Sequence, residues 1–323
     1  MPESSEAFGP PLSANPQALW ATFLETVERY PDNLAIASVH QQHDLFGIAS
    51  LPLDEDGYHQ RPYLRWSYKS LAQGVRRLTA GLRAAGVGPG TPIFSFQPNG
   101  AEYLLSLWSA AEMDCVFVPV SPRNLANRSE VVHMVKVALM TAPSRDPVVI
   151  AANPDAATVI DSLDLWTEST KIIQSPSDHV GDWVAFDRFM PADTMNEKHA
   201  AQQLEEVAAG AVLFTSGTTS MPKGIFAQQS THAWFVESWA RSRPPDGVFA
   251  GSKFCCVIPN NHSFAHYMVL CAQSVGAAIV YPGPAFEAAG MLDTLYREKV
   301  TQVRLTVPPS YGGLSLAVPT PTC

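Results

Sequence analysis

The sequence predicts an α/β protein built from layered, mostly parallel sheets with flanking helices. Segments with apolar residues at helical spacing alternate along the chain with short apolar runs, and parallel strands need crossover helices of this kind between them. The chain has 323 residues, of which 46% are hydrophobic and 16% charged. This is long enough to bury the core of one large domain or two medium ones.

The first predicted element is an amphipathic helix. Asn15 and Pro16 form a cap and first-turn pair, and apolar residues then recur at helical spacing over 19–27. The segment 40–61 is polar, aperiodic and rich in turn formers, which indicates a surface loop. A second amphipathic helix follows over 68–86 and ends at a glycine.

The same alternation continues to the end of the chain, where each predicted strand is short and apolar. Strands are predicted at 93–96, 115–118, 148–151, 171–173, 211–214, 225–228, 253–258, 277–281 and 302–307. Helices are predicted at 101–112, 129–140, 154–163, 231–241, 264–275 and 287–299. A polar segment at 191–206 suggests a boundary. We therefore expect a first α/β subdomain over 1–190, a second over 191–314, and a Pro/Thr-rich tail over 315–323.

Composition and charge narrow the class of protein. The chain has 21 Lys and Arg against 30 Asp and Glu, a net charge of −9, and no basic block, so we expect no nucleic-acid partner. No leader pattern and no apolar run of membrane-spanning length are found, which predicts a cytoplasmic protein without a membrane span. The five cysteines include no C-x-x-C pair, which predicts free thiols and no metal site.

The richest motif is the segment 213–224, which reads LFTSGTTSMPKG. It predicts a short buried strand followed by a loop. The candidate phosphate-binding residues are Thr215, Ser216, Gly217, Thr218, Thr219, Ser220, Lys223 and Gly224. Backbone N–H groups, hydroxyls and an ammonium group in one loop can all bind one anion. A lysine–phosphate contact at about 4 Å is worth roughly 4 kcal/mol at an effective dielectric near 20, so Lys223 dominates this site.

The loop has two other interpretations. The common phosphate loop, G-x-x-x-x-G-K-[ST], is absent because Pro222 precedes Lys223 and Gly224 follows it. The second alternative is a Ser/Thr-rich surface turn without a ligand. The segment resembles instead the T-S-G-T-T-G-x-P-K-G signature of the acyl-adenylate-forming enzymes, which include acyl-CoA synthetases, peptide-synthetase adenylation domains and luciferases. Ser220 replaces a glycine of that signature, at a cost of about 1–2 kcal/mol if the position needs a positive φ.

Further segments resemble the core motifs of this family and follow its order. Residues 65–71 and 105–120 resemble the first and second motifs. Residues 259–266, PNNHSFAH, resemble the fourth motif, P-x-x-H-S-F-G, with Ala265 in place of the glycine. His262 falls on the family's histidine, near the carboxylate end of the acid pocket. The alternative interpretation is that His262 is an exposed capping residue.

The resemblance implies a reaction and its ligands. Family members join a carboxylic acid to ATP, release pyrophosphate, and pass the acyl group of the resulting acyl-adenylate to the thiol of CoA or of carrier-protein phosphopantetheine. The loop hydroxyls and Lys223 would hold the β- and γ-phosphates, with Mg²⁺ bridging their oxygens, and His262 would orient the acid. The irregular motif spellings suggest a biosynthetic role in secondary metabolism.

Several family features are not found in the sequence. These are an aromatic-G-x-T-E stretch, the aspartate for the ribose, a hinge, and the C-terminal domain with its catalytic lysine. The resemblance therefore implies a truncated chain that lacks the family's C-terminal domain, binds ATP weakly by itself, and needs a complementing chain for complete thioester synthesis. The alternative is a catalytically inactive scaffold with an interaction or regulatory role.

Overall fold

Two mixed β-sheets and their flanking helices make up the part of the chain that the computed structural model describes. The described residues are 16–52, 62–141, 146–166, 168–174, 181–192, 210–215, 221–242 and 248–303. The predicted tail and most of the polar segment 191–206 lie outside them. The prediction of a layered, mostly parallel α/β fold is confirmed.

The strands and helices alternate along the chain as the sequence patterns predict. The strands are β1 (Leu34–Ser38), β2 (Leu64–Ser67), β3 (Pro92–Phe96), β4 (Val116–Pro119), β5 (Val148–Ala151), β6 (Thr170–Ile173), β7 (Val184–Ala185), β8 (Gly210–Thr215), β9 (Lys223–Gln228), β10 (Lys253–Cys255), β11 (Ala278–Tyr281) and β12 (Gln302–Val303). The α-helices are α1 (Leu19–Arg29), α2 (Tyr68–Ala84), α3 (Ala101–Glu112), α4 (Arg128–Leu139), α5 (Pro154–Asp161), α6 (Gln229–Ser242), α7 (Ser263–Ser274) and α8 (Ala288–Arg297). Short 3-10 helices cover Leu45–Gly47, Pro122–Ala126 and Phe186–Phe189.

The larger sheet has seven strands in the order β7-β6-β5-β3-β4-β8-β9. Its strands pair in parallel except at one edge, where β8 and β9 pair antiparallel. Its central strands are buried on both faces, as parallel strands covered by helices must be. The hairpin at the edge was not predicted, because the pattern of 225–228 predicts a strand but not its direction.

The smaller sheet has five strands in the order β12-β10-β11-β1-β2. It combines β1 and β2 from the beginning of the chain with β10, β11 and β12 from its end. Each sheet therefore contains strands from both sides of the boundary expected at residue 190. The division into 1–190 and 191–314 stays a prediction, but the two sheets do not follow it.

The main hydrophobic core lies between the two sheets. It contains buried residues of both sheets, such as Ile36, Trp66 and Phe117, together with the apolar faces of α1, α2, α3 and α7. Helix α3 is enclosed almost completely, which explains why small residues such as Ser109 and Ala110 occur on it. A second core on the other face of the seven-stranded sheet contains residues of α4 and α5.

Several sequence predictions about the core can be checked directly. The four described cysteines, Cys115, Cys255, Cys256 and Cys271, are buried free thiols, as predicted. Among the described residues, no helix combines the length and the apolar character that a membrane crossing requires. The strand predicted at 253–258 is wrong in its length, because β10 ends at Cys255 and the next residues form a loop.

A buried ionic cluster fastens the edge of the five-stranded sheet to helix α8. The Glu298 carboxylate, which is fully buried, contacts the Arg65 guanidinium, accepts a hydrogen bond from the Tyr63 hydroxyl, and lies 3.2 Å from Lys253 Nζ. Despite burial, these partners hold the pKa of Glu298 below its ordinary value. Burial of an unpaired carboxylate would be costly, so these partners are needed once Glu298 is buried.

We predict that the free energy of unfolding falls as the pH is lowered from 6.5 towards 4. Burial lowers the pKa of His232 from 6.5 to about 4, so in this interval the unfolded chain binds a proton that the folded chain does not. The loss is up to about 1.4 kcal/mol per pH unit for one histidine. Urea unfolding of the parent, His232→Asn and His43→Asn at several pH values measures it.

His43 is the matched control because its side chain is 52% exposed. The His43→Asn protein should keep the pH dependence of the parent, whereas His232→Asn should show a flatter one. Equal slopes for the parent and His232→Asn would contradict the prediction.

Candidate active site

The predicted phosphate loop lies at the tip of the β8–β9 hairpin. Thr215 and Lys223 are directly opposite each other in the last register pair of the ladder, and both are exposed. Thr215 Oγ1 lies 3.5 Å from the Lys223 carbonyl oxygen. The predicted loop residues Ser216, Gly217, Thr218, Thr219 and Ser220 lie outside the described residues. The hairpin thus brings the two described polar ends of the motif together.

Helix α4 supports the end of this loop. His133 Nε2 donates a hydrogen bond to the Pro222 carbonyl oxygen over 3.0 Å, since a carbonyl can only accept. A Cβ atom at Gly224 would lie 2.8 Å from Val137 Cγ1 and 3.1 Å from Phe214 Cε1. Packing of the hairpin against α4 is therefore one reason for glycine at 224. A role of Gly224 in phosphate binding stays a prediction.

His262 caps the N-terminus of helix α7 and is exposed. Its Nδ1 accepts a hydrogen bond from the Phe264 N–H over 3.2 Å. Because Nδ1 is an acceptor here, the neutral ring carries its proton on Nε2. His262 is therefore a capping residue, as the alternative interpretation holds, and its Nε2–H is an exposed donor as well. The two interpretations of His262 are compatible.

Asn99 fixes the segment that leads into His262. Its Nδ2 donates to the carbonyl oxygens of Ile258 over 3.0 Å and Cys256 over 3.4 Å, and its Oδ1 accepts from the Asn260 N–H over 2.8 Å. These carbonyls face Asn99 instead of a neighbouring strand, which explains why β10 is shorter than predicted. Asn99 is only 5% exposed, so water does not compete for these bonds.

Two tyrosines extend this contact to helix α3 and to the five-stranded sheet. Tyr103 OH, on α3, donates to the Asn260 carbonyl oxygen over 2.9 Å, and Asn260 Nδ2 donates to Tyr281 OH, on β11, over 2.8 Å. All of these residues are buried. We call Asn99, Tyr103, Asn260 and Tyr281 the Asn99 clasp. It holds the turn before His262 by hydrogen bonds from the turn after β3, from α3 and from the five-stranded sheet.

Thr215 and Asn99 lie at the same end of the seven-stranded sheet. Thr215 ends β8, and Asn99 follows the carboxyl end of β3, which is parallel to β4 and, through β4, to β8. β3 and β8 are separated by one strand, or about 10 Å. Asn99 then connects this edge to the segment after β10 that carries His262. Ligands of open α/β sheets bind at the carboxyl ends of strands, where these residues lie.

Aromatic side chains surround the first turns of α7. Phe264 is 39% exposed, while Tyr267 is partly buried and packs on the rings of Phe235, at 4.4 Å, and His232, at 5.1 Å. Phe264, Tyr267 and Met268 follow His262 at helical spacing on α7. The described residues include no group of three or more His, Cys, Asp or Glu side chains that would hold a metal ion.

Sequence reasoning missed the clasp and the support from α4. The signal for Asn99 is the run Pro98-Asn99-Gly100, in which a polar side chain lies in a turn between a strand and a helix. Asn260 lies inside the recognised 259–266 motif, but its partners are more than 150 residues away in the sequence or on another strand. No local pattern marks His133, whose role depends on how α4 packs.

The fold and these motifs together define an enzyme family of known architecture. The model of the AMP-binding enzyme family matches residues 23–314, and the chain therefore belongs to this family. It is 24% identical over 296 residues to an acyl–CoA ligase of Pestalotiopsis microspora, an alignment that covers 85% of this chain and 49% of that protein. It is 26% identical over 241 residues to the long-chain-fatty-acid–CoA ligase of Thermus thermophilus, covering 73% and 41%.

Solved structures of adenylate-forming enzymes share the fold. A putative long-chain-fatty-acid CoA ligase from Rhodopseudomonas palustris superposes with a TM-score of 0.65 at 19% identity, covering 92% of this chain and 65% of that one. MbtA of Mycobacterium smegmatis, without ligand, superposes with a TM-score of 0.65 at 19% identity, covering 90% and 48%. The chain spans about half the length of the curated relatives it matches.

We predict that Asn99→Ala loosens the turn before His262. The substitution removes three hydrogen bonds to the segment 256–260, so the Asn260 N–H loses its acceptor. The free energy of unfolding should fall by about 2–4 kcal/mol. Hydrogen exchange of the Asn260 amide should become at least tenfold faster relative to other buried amides.

Asn153→Ala is the matched control, because Asn153 is a different asparagine that caps α5 through the Ala156 N–H. Its removal should cost about 1 kcal/mol and leave exchange of the Asn260 amide unchanged. An Asn260 amide that exchanges equally slowly in Asn99→Ala and in the parent would refute the role of the clasp.

Proposed function

We propose that this chain supplies the phosphate-binding and acid-binding parts of an ATP-dependent ligase that activates a carboxylic acid. The observation that supports this most directly is the hairpin that pairs Thr215 with Lys223 at the carboxyl edge of the sheet. The segment that Asn99 holds after β10 leads to the exposed His262. Membership of the AMP-binding enzyme family, whose members here include several acid–CoA ligases, supports the same reaction.

The described residues fit a polyphosphate ligand. Lys223 is exposed and forms no ion pair with another described residue, and Thr215 is exposed across the ladder from it. A phosphate at the hairpin tip can therefore reach both side chains from solvent. Mg²⁺ would enter as the metal of Mg·ATP and would neutralise part of the phosphate charge.

In the proposed reaction the chain orients the reactants and compensates charge. A carboxylate oxygen of the acid attacks the α-phosphorus of ATP, the bond to the bridging oxygen breaks, and pyrophosphate leaves with that electron pair. Lys223 stabilises the charge on the leaving phosphates, and the loop N–H and hydroxyl groups hold them in line. His262 donates from Nε2 to the acid and fixes its direction of attack. The side chains do not form a covalent intermediate.

The second half-reaction belongs to the proposal as well. The thiol of CoA or of a carrier-protein phosphopantetheine attacks the acyl carbon, releases AMP, and gives up its proton. The names of the relatives include fatty acids and 4-coumarate, both of which combine a carboxylate with an apolar body. The aromatic residues Phe264 and Tyr267 beside His262 favour an acid of this type here.

The first test is the affinity for Mg·ATP. Lys223→Ala should weaken binding about tenfold or more, because it removes the exposed charge that faces the phosphates. Isothermal titration of the purified chain measures this. Lys69→Ala is the matched control, since Lys69 is an exposed lysine at the start of α2 and should leave the affinity unchanged. Equal affinities for Lys223→Ala and the parent would disprove the role of Lys223, and no binding by the parent would favour the inactive scaffold.

A second test separates the two roles of His262. His262→Ala should lower the free energy of unfolding by about 1 kcal/mol, because the cap of α7 is lost, and should also weaken binding of an acid such as 4-coumarate. His262→Asn keeps a capping oxygen and should restore the stability but not the acid binding. Fluorescence titration with 4-coumarate and urea unfolding measure the two effects. Full acid binding by His262→Asn would show that the ring only caps the helix.

A further inference from the structure

A small cavity lies between the start of β8, the end of α3, and helices α6 and α7. Its volume is about 20 Å³, room for about one water molecule. Most of its wall is apolar, with Ala110, Phe117 and Ala211 among the lining residues. Three polar side chains also line it: Gln229 and His232 from α6 and His266 from α7. All three are at least 96% buried.

The hydrogen bonds fix the protonation of both histidine rings. Burial lowers the pKa of His232 to about 4 and that of His266 well below its ordinary value, so both rings are neutral at pH 7. His232 Nδ1 lies 3.1 Å from the Gln228 carbonyl oxygen, which can only accept, so this nitrogen carries the proton. His232 Nε2 is then an acceptor, and His266 Nε2, 3.2 Å away, must be the donor to it. His266 Nδ1 is therefore left as an acceptor.

Two acceptors at this cavity lack a donor among the described residues. One is His266 Nδ1 and the other is Gln229 Oε1. Gln229 Nε2 is already used, because it donates to the Ala111 carbonyl oxygen over 2.9 Å. Gln229 and His232 are three residues apart on α6 and therefore neighbours on one helix face, which places Gln229 beside the His232–His266 pair. Buried polar groups normally have hydrogen-bond partners, so two buried acceptors without a donor indicate a donor group that binds here.

We infer that this cavity is a binding site for one neutral, water-sized group that donates hydrogen bonds to both His266 Nδ1 and Gln229 Oε1. An anion is excluded because the site presents two acceptors. A cation is disfavoured because the cavity holds no compensating negative charge and is otherwise apolar. An O–H or N–H group remains, either of a single water molecule or of a bound small molecule that ends in a hydroxyl or an amine.

The site lies between two helices that each follow a segment of the candidate active site. Gln229 follows directly after β9, the strand that begins with Lys223. His266 lies one helical turn after His262, and the backbone N–H of His266 donates a hydrogen bond to the His262 carbonyl oxygen over 3.0 Å. The bound donor therefore bridges the helix that follows the phosphate hairpin and the helix that His262 caps.

A pair of substitutions of nearly the same shape tests the inference. Ala211 lines the cavity from β8 and is buried. Ala211→Val fills the cavity and expels the bound group without replacing its hydrogen bonds, whereas Ala211→Thr fills it with a side chain that carries its own hydroxyl donor. We expect the Thr protein to melt roughly 3 °C or more above the Val protein. In a dry apolar cavity the order is reversed, because a buried hydroxyl without a partner is unfavourable, so a Val protein that melts at or above the Thr protein overturns the inference.

A crystal structure of the unsubstituted chain provides a measurement that does not depend on either variant folding. The inference requires a density peak within 2.7–3.2 Å, the range of ordinary hydrogen bonds, of both acceptors. An isolated peak in crystals grown without alcohols or amines identifies water, and density continuous with a longer molecule identifies a hydroxyl- or amine-bearing ligand. A cavity with no peak overturns the inference.

Discussion

The hydrogen bonds of Asn99 are the constraint on which the candidate active site depends. After β10 the chain leaves the five-stranded sheet before it enters α7. In this segment the Asn99 side chain donates to the carbonyl oxygens of Cys256 and Ile258 and accepts the Asn260 N–H. Each bond contributes roughly 1 kcal/mol, but each buried group left unpaired would cost about 1–3 kcal/mol. The clasp therefore acts mainly against other conformations of this turn, because in them these buried groups would be left unpaired.

The β8–β9 hairpin is supported in a different way, by helix α4 at the edge of the seven-stranded sheet. The β8–β9 ladder fixes the distance between Thr215 and Lys223, and α4 holds the end of the loop through His133. Gly224 lets the helix approach closely. The supporting contacts use backbone atoms and one imidazole, so the exposed side chain of Lys223 is available to a ligand.

How far the sequence predicts this molecule depends on the range of each interaction. Helix α3 and strand β5 are predicted with their observed bounds, because small and apolar residues continue up to clear turn formers. Strand β1 is not predicted, since five residues between a helix and a polar loop give no periodic signal. In the site, His262 is found by its motif, whereas Asn99 is found only in three dimensions because its partners are about 160 residues away. The cap that His262 provides on α7 is a local interaction, and it is one of the two interpretations that the sequence allows. The His232–His266 pair depends instead on how two helices pack.

Exposure separates the residues proposed for binding from the residues of the Asn99 clasp. Thr215, Lys223 and His262 are exposed, whereas the residues of the clasp are buried. An exposed lysine at about 4 Å from a phosphate gains only about 1 kcal/mol in bulk water, against roughly 4 kcal/mol at an effective dielectric near 20. The difference of about 3 kcal/mol corresponds to more than a hundredfold in affinity. In the proposed function, Lys223 would therefore contribute fully only when the bound phosphates and the surface that covers them exclude water, and the affinity for ATP would depend as much on that cover as on the motif.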